Sequence, residues 1–348
     1  MTWREFVIRL LATFAGGLAL CAGLTGLADP YGTLGHGLLG PHAIMDTNQR
    51  FQYPAVMRSG RFDSIVVGTS TSRLLKPSDL EAVFGGRFAN LSMDSGTAWE
   101  QHRLAQFFTA HVRQPRTLVV GIDHVWCDPA ADAKRITPRG FPEWMYDESR
   151  INDLAYMLNK TALEIAGRRF AHAAGMMKVR IPFDGYEVFV PPEQDYDLGR
   201  ARQKIYGGAT PPAVVDTNRG VEPAASHAGY TFPALDWLDR MTEPNQRWQR
   251  IVFVMTPPHV SALPTRGTPH GDQEAACKAG IAAIARRKGI AFIDFRRASA
   301  ITVADDNFWD HLHYRVPIAK RIVAGMAAAL AGETSPTREW VLATPAGP

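Results

Sequence analysis

Two short stretches of this 348-residue chain carry the residue types of acyl-transfer chemistry. Gly68-Thr69-Ser70-Thr71-Ser72-Arg73 follows an apolar run. A serine on a tight strand-to-helix turn exposes its hydroxyl, and the flanking backbone N–H groups can face a developing oxyanion. Phe308-Trp309-Asp310-His311-Leu312-His313-Tyr314 sets an aspartate three residues before a histidine, a spacing at which the carboxylate can orient the imidazole as a general base. Two further polar stretches, Asn90-Leu91-Ser92-Met93-Asp94-Ser95-Gly96-Thr97 and Gly121-Ile122-Asp123-His124, also follow apolar runs. Ligands of open parallel sheets bind beyond the carboxyl ends of the strands, so these stretches converge on one site.

Taken singly, each piece has a plainer use: Gly68 relieves a turn, Asp310 caps a helix, His313 is a satisfied buried histidine. Their common placement at strand ends favours a serine triad of Ser70, His313 and Asp310. A metal-dependent hydrolase using Asp310, His311 and His313 with Asp123 and His124 is the competing chemistry, and no C-x-x-C pair supports structural zinc. Arg73 is placed to bind an anionic substrate group, although an ion pair with Asp79 or Asp94 is its more ordinary use. Trp99, Trp126 and Trp309 flank the site and can stack on sugar rings or fill a core. Cys127 and Cys277 are able to pair in an oxidising compartment, but two buried thiols are the default expectation.

The elements that must position these residues read as short, non-alternating apolar runs at 64–67, 88–91, 117–120, 251–254 and 290–293, the pattern of strands covered on both faces. Helix signals lie between them: a capping box at Ser78-Asp79-Leu80-Glu81 stopped by Gly85-Gly86, an Ala-rich stretch from Asp272 to Lys288, and an apolar stripe from Pro317 to Leu330. This alternation predicts a three-layer α/β/α sandwich around a five-stranded, mostly parallel sheet. Residues 128–248 interrupt it as a large insertion after the third strand, with one helix over about 148–170; 29–61 reads as a connecting segment and 333–348 as a tail.

The run Leu10–Ala28 has no formal charge and follows Arg4 and Arg9. It is long enough to cross a bilayer, and an uncleaved anchor is the preferred reading over a signal peptide. Basic residues before it keep the N-terminus in the cytoplasm and place residues 29–348 outside. With 38 basic against 34 acidic side chains and no basic run, nucleic acid is not an expected partner. No cofactor is called for.

With these residues in view, the chain resembles the SGNH/GDSL hydrolase family, in particular its membrane-anchored bacterial branch. Gly68-Thr69-Ser70 is similar to that family's Gly-Asp-Ser block, with Thr69 in the Asp position; Gly96 falls at the glycine of the second block, and Asp310 with His313 match the Asp-x-x-His block. The resemblance covers roughly 62–127 and 248–330 of the domain 62–332. It implies an SGNH/flavodoxin-like fold, Ser70 as nucleophile, His313 as base, Asp310 as its orienting residue, and an oxyanion hole from the Ser70 and Gly96 N–H groups. It further implies a serine esterase or acyltransferase of the inner membrane acting on acyl esters of envelope or exported carbohydrate, with a membrane acyl-donor protein as partner in the transfer direction. The third block's oxyanion asparagine is replaced by Asp123, whose ionised carboxylate accepts but does not donate. Asp123 is therefore protonated, turned away or otherwise employed, and if it lines the pocket Asp123→Asn should raise turnover. Should catalysis be lost, a glycan-binding or assembly protein is the alternative.

Overall fold

The computed structural model describes residues 1–348 apart from 47, 211, 213–215, 217 and 348. Chain order runs α1 (Trp3–Ala28), α2 (Tyr53–Arg58), β1 (Ser64–Val67), α3 (Pro77–Phe84), β2 (Phe88–Asn90), α4 (Ala98–His111) and β3 (Thr117–Ile122). It continues through α5 (Ile151–Leu154), α6 (Lys160–Ala173), α7 (Leu198–Ile205), α8 (Pro233–Arg240), β4 (Arg250–Met255), α9 (Pro269–Lys288), β5 (Ala291–Asp294), α10 (Val316–Leu330) and β6 (Val341–Thr344).

The strands form one sheet in the order β2-β1-β3-β4-β5-β6. The first five are parallel, and β6 pairs antiparallel with β5. Side chains along each strand alternate between two cores. Ile65, Val67, Leu118, Val120 and Phe253 pack with residues of α4, α8 and α9, whereas Val66, Val119, Val252 and Ile293 pack with α3 and α10. Burial on both faces explains why the strands read as unbroken apolar runs. The reversal of strand order falls between β1 and β3, which opens a crevice beyond their carboxyl ends.

Several expectations need correction. The sheet has six strands rather than five, because the expected tail 333–348 contributes β6, a strand only partly buried at the sheet edge. The capping box at Ser78 does not form: the cap lies two residues earlier, at Lys76, which makes no side-chain bond, and α3 begins with Pro77. The helix expected over 148–170 is broken, and α6 starts afresh where Asn159 caps the Ala162 N–H. The segment 29–61 does more than connect, since Tyr31, Ile44, Tyr53 and Val56 are buried in the core. Cys127 and Cys277 are joined in a disulfide rather than left as thiols. It ties the turn after β3 to α9 across 150 residues.

Helix α1 projects from this body with only Thr25 and Ala28 buried. Thr2 and Glu5 cap its start reciprocally. It is long and apolar enough to cross a membrane, a length and composition shared by a membrane span and a signal sequence.

Candidate active site

Ser70 begins a 3-10 turn directly after β1. Asp310 and His313 lie in the loop between β5 and α10, 240 residues further on. The fold brings them together: Ser70 Oγ lies 2.9 Å from His313 Nε2, and His313 Nδ1 lies 2.8 Å from Asp310 Oδ2. Asp310 Oδ1 accepts the backbone N–H groups of Leu312 and His313 at 2.7 and 2.8 Å, which fixes the carboxylate and leaves Oδ2 for the ring. Burial opposes ionisation of Asp310, but the bond to His313, its charge and the two backbone donors overcome this and hold the carboxyl at about 2. An ionised Asp310 only accepts, so Nδ1 carries the proton and the Nε2 lone pair faces the Ser70 hydroxyl. Half-buried, Ser70 remains reachable from solvent.

The turn around Ser70 is braced from the ends of three strands and from the histidine loop. Asp123, buried at the end of β3, accepts the Thr69 hydroxyl, the Thr71 hydroxyl at 3.3 Å and the Val125 N–H at 3.1 Å. Thr256, just after β4, donates to Thr71 Oγ at 3.0 Å. The Asn90 amide, at the end of β2, donates to the carbonyls of Ser72, Arg73 and Leu75 at 2.9, 3.2 and 2.8 Å. The Tyr314 hydroxyl, kept protonated by its burial, donates to the Thr71 carbonyl and so couples the histidine loop to the serine turn. Thr71, Thr256, Asn90 and Tyr314 had no assigned role in the sequence. The one available signal was paired: Thr69 stands where the resemblance expects Asp, and Asp123 where it expects Asn.

Packing at the turn is equally specific. A Cβ on Gly121 would lie 1.9 Å from Ser72 Oγ, and one on Gly68 would lie 2.5 Å from the same atom. Ser72 is therefore wedged between two backbones where no larger residue fits.

The expected oxyanion donors are not all turned toward Ser70. Asp123 is spent on the threonines, and the Gly96 N–H donates to the Met93 carbonyl at 3.2 Å. Arg50 holds this loop from the opposite side: fully buried, it pairs with Glu100 at 2.7 Å and donates to the carbonyls of Asp94 and Ser95.

The four substrate-binding candidates separate. Arg73 pairs with neither Asp79 nor Asp94 but with Glu187 of the insertion, under the ring of Phe189. Phe189 in turn meets His313 edge-on at 5.3 Å, so residues 187–189 form a wall over this histidine. Trp126 is fully buried with Nε1 on Gln101, and Trp99 donates to Glu143 and packs against Trp237; both are packing residues. Trp309 is mostly buried against Tyr196 and lines a cavity of about 450 Å³ with Asp195, Arg200 and Lys204.

The metal alternative loses its geometry, since both ring nitrogens of His313 are engaged by Ser70 and Asp310. Among the described residues no three His, Cys, Asp or Glu side chains converge as ligands. A second Ser-His-Asp contact set, Ser261–His259–Asp305, is of another kind. His259 is fully buried, its Nδ1 also receives the Ser261 N–H, and Asp305 is shared with Arg202 and Tyr206. It caps a turn.

Compared with models of known protein families and with curated proteins, the chain matches none.

Proposed function

We propose that this protein is a membrane-anchored serine esterase or O-acyltransferase whose nucleophile is Ser70. The observation that carries the proposal is the linear relay from Ser70 Oγ through His313 to an ionised Asp310, with contacts of 2.9 and 2.8 Å. Ser70 Oγ attacks the acyl carbonyl while His313 Nε2 takes its proton. The imidazolium then protonates the departing alcohol oxygen as the ester bond breaks, leaving an acyl-serine. Water or a sugar hydroxyl, deprotonated by His313, releases the acyl group to complete hydrolysis or transfer. Substrates of the envelope-carbohydrate class follow from the family resemblance and from an extracytoplasmic domain. The Cys127–Cys277 disulfide supports that compartment, as does the position of Arg4 and Arg9 before the apolar helix. In the transfer direction the acyl donor is handed over by a membrane protein.

Ser70→Ala should lower turnover of an aryl acetate by about three orders of magnitude or more, with the fold intact by circular dichroism. Intact mass after a brief reaction should show acylation that is lost in this variant. Equal turnover in both proteins would overturn the assignment. No turnover in either would favour a glycan-binding protein, the reading to which the Gly96 N–H on Met93 points, because it leaves the pocket short of an oxyanion donor.

A further inference from the structure

After α1, thirteen large apolar side chains are exposed among the described residues, and ten of them lie in two segments, 34–38 and 151–179. The most exposed include Ile151 at 81% and Met176 at 77%, with Leu154, Tyr156 and Leu158 near Ile151 in sequence and Leu38 in the other segment. Isolated exposed apolar residues are ordinary, but this concentration is not.

Both segments are fastened to the last turn of α1. The His36 ring meets the Gly26 carbonyl at 2.7 Å, and Asp29, which follows the helix, accepts the N–H groups of Leu34 and Gly35. Asn159, at the start of α6, meets the Tyr31 hydroxyl, and Arg169, near its end, donates to the Asp29 carbonyl. Helix α6 thus lies against the C-terminal end of α1.

Charge is concentrated in the same place. Residues 150–180 hold six basic and two acidic side chains, an excess equal to the formal charge of +4 on the whole chain. A cavity of about 430 Å³ on this side is lined by Arg58, Arg61, Arg150 and Arg169 with Asp29; Arg58 is paired with Asp153 and Arg169 donates to the Asp29 carbonyl, so Arg61 and Arg150 carry the excess charge there.

From the continuity with α1, the apolar concentration and the charge, we propose that this face rests on the bilayer that α1 crosses. Its apolar side chains sit at the headgroup–acyl boundary and its arginine-lined recess takes lipid phosphates. The domain is then held at the lipid surface instead of swinging on a tether. The inference rests on α1 being retained as a span and is independent of the chemistry at Ser70.

The test uses the full chain carrying Cys21→Ala, reconstituted into phosphatidylglycerol-containing vesicles. An environment-sensitive dye is placed at Met176→Cys or Leu154→Cys, and in a separate protein at Thr334→Cys, in the loop before β6 at the other edge of the sheet. Dyes at 176 and 154 should shift to the blue and be quenched by headgroup-level spin-labelled lipid, while the dye at 334 is not. Replacing the anionic lipid or introducing Lys178→Glu with Arg180→Glu should weaken the quenching. Equal, solvent-like behaviour at all three positions would overturn the proposal and leave the face to a protein partner. Failure of the chain to float with the vesicles would overturn the anchor as well, whereas a null result with aryl acetate would touch neither.

Discussion

Substituting Asp123 by asparagine separates two accounts of the site by the sign of the effect. A residue lining an oxyanion pocket would gain a donor, and such a donor is worth roughly 3 to 4 kcal/mol, more than a hundredfold in rate. The observed contacts lead the other way. Asp123 accepts from Thr69, Thr71 and Val125, and the Thr71 oxygen is already the acceptor for Thr256. An asparagine keeps the Val125 bond through its oxygen but turns N–H groups toward two threonine hydroxyls whose own protons then lose their acceptor. Charge-assisted hydrogen bonds contribute about 1.5 to 3 kcal/mol and neutral ones about 1, so two weakened bonds cost about 2 to 3 kcal/mol. Because Thr69 and Thr71 flank Ser70, part of that loss appears as misplacement of its hydroxyl. Aryl acetate hydrolysis should fall by about tenfold or more in kcat/KM, alongside a melting temperature lower by several degrees. A rise in kcat/KM with an unchanged melting temperature would refute the bracing role of Asp123.

Asp310→Asn leaves the shape of the loop but removes the acceptor that fixes the His313 tautomer. We expect kcat to fall by about a thousandfold or more with KM little changed, read from steady-state kinetics. The wild-type Asp310 carboxyl, at about 2, lies below its ordinary 3.8, so its stabilisation is complete above about pH 4 and is lost as pH falls through 2. Denaturant titrations between pH 2 and 5 should lose this acid dependence in the Asn variant. Gly121→Ala should cost about 1 to 3 kcal/mol by driving a methyl group into Ser72, and adding Ser72→Gly should recover most of it in a thermal melt.

The parallel strands were legible because burial on both faces leaves continuous apolar runs. β6 was not, since Val341–Thr344 is short, sits near Gly and Pro, and gains its identity only from pairing with β5. The core residues of 29–61 hang on irregular backbone, as Tyr31 and Ile44 do, or on the six-residue α2, as Tyr53 and Val56 do, and neither is long enough to show a period. At the site, serine, histidine and aspartate types and their order were visible; the partners of Arg73 and Asp123 were not. Glu187 comes from an insertion with no periodic signal, and the exchange of Thr69 and Asp123 makes sense only once both are seen to touch. The disulfide likewise needed proximity that spacing does not supply.

The buried pair between Arg50 and Glu100 decides where a soluble fragment can be cut from this chain. A fragment beginning at Phe62 would keep every strand and the whole triad, yet it would strip the guanidinium from Glu100 and the carbonyls of Asp94 and Ser95. Glu100 would keep only the Thr97 and Thr137 N–H groups, and a buried carboxylate that loses its ion-pair partner costs about 3 to 5 kcal/mol, a large share of a domain's total stability. A secreted fragment should start at Asp29, immediately after the apolar helix, so that the arginine travels with the loop it holds.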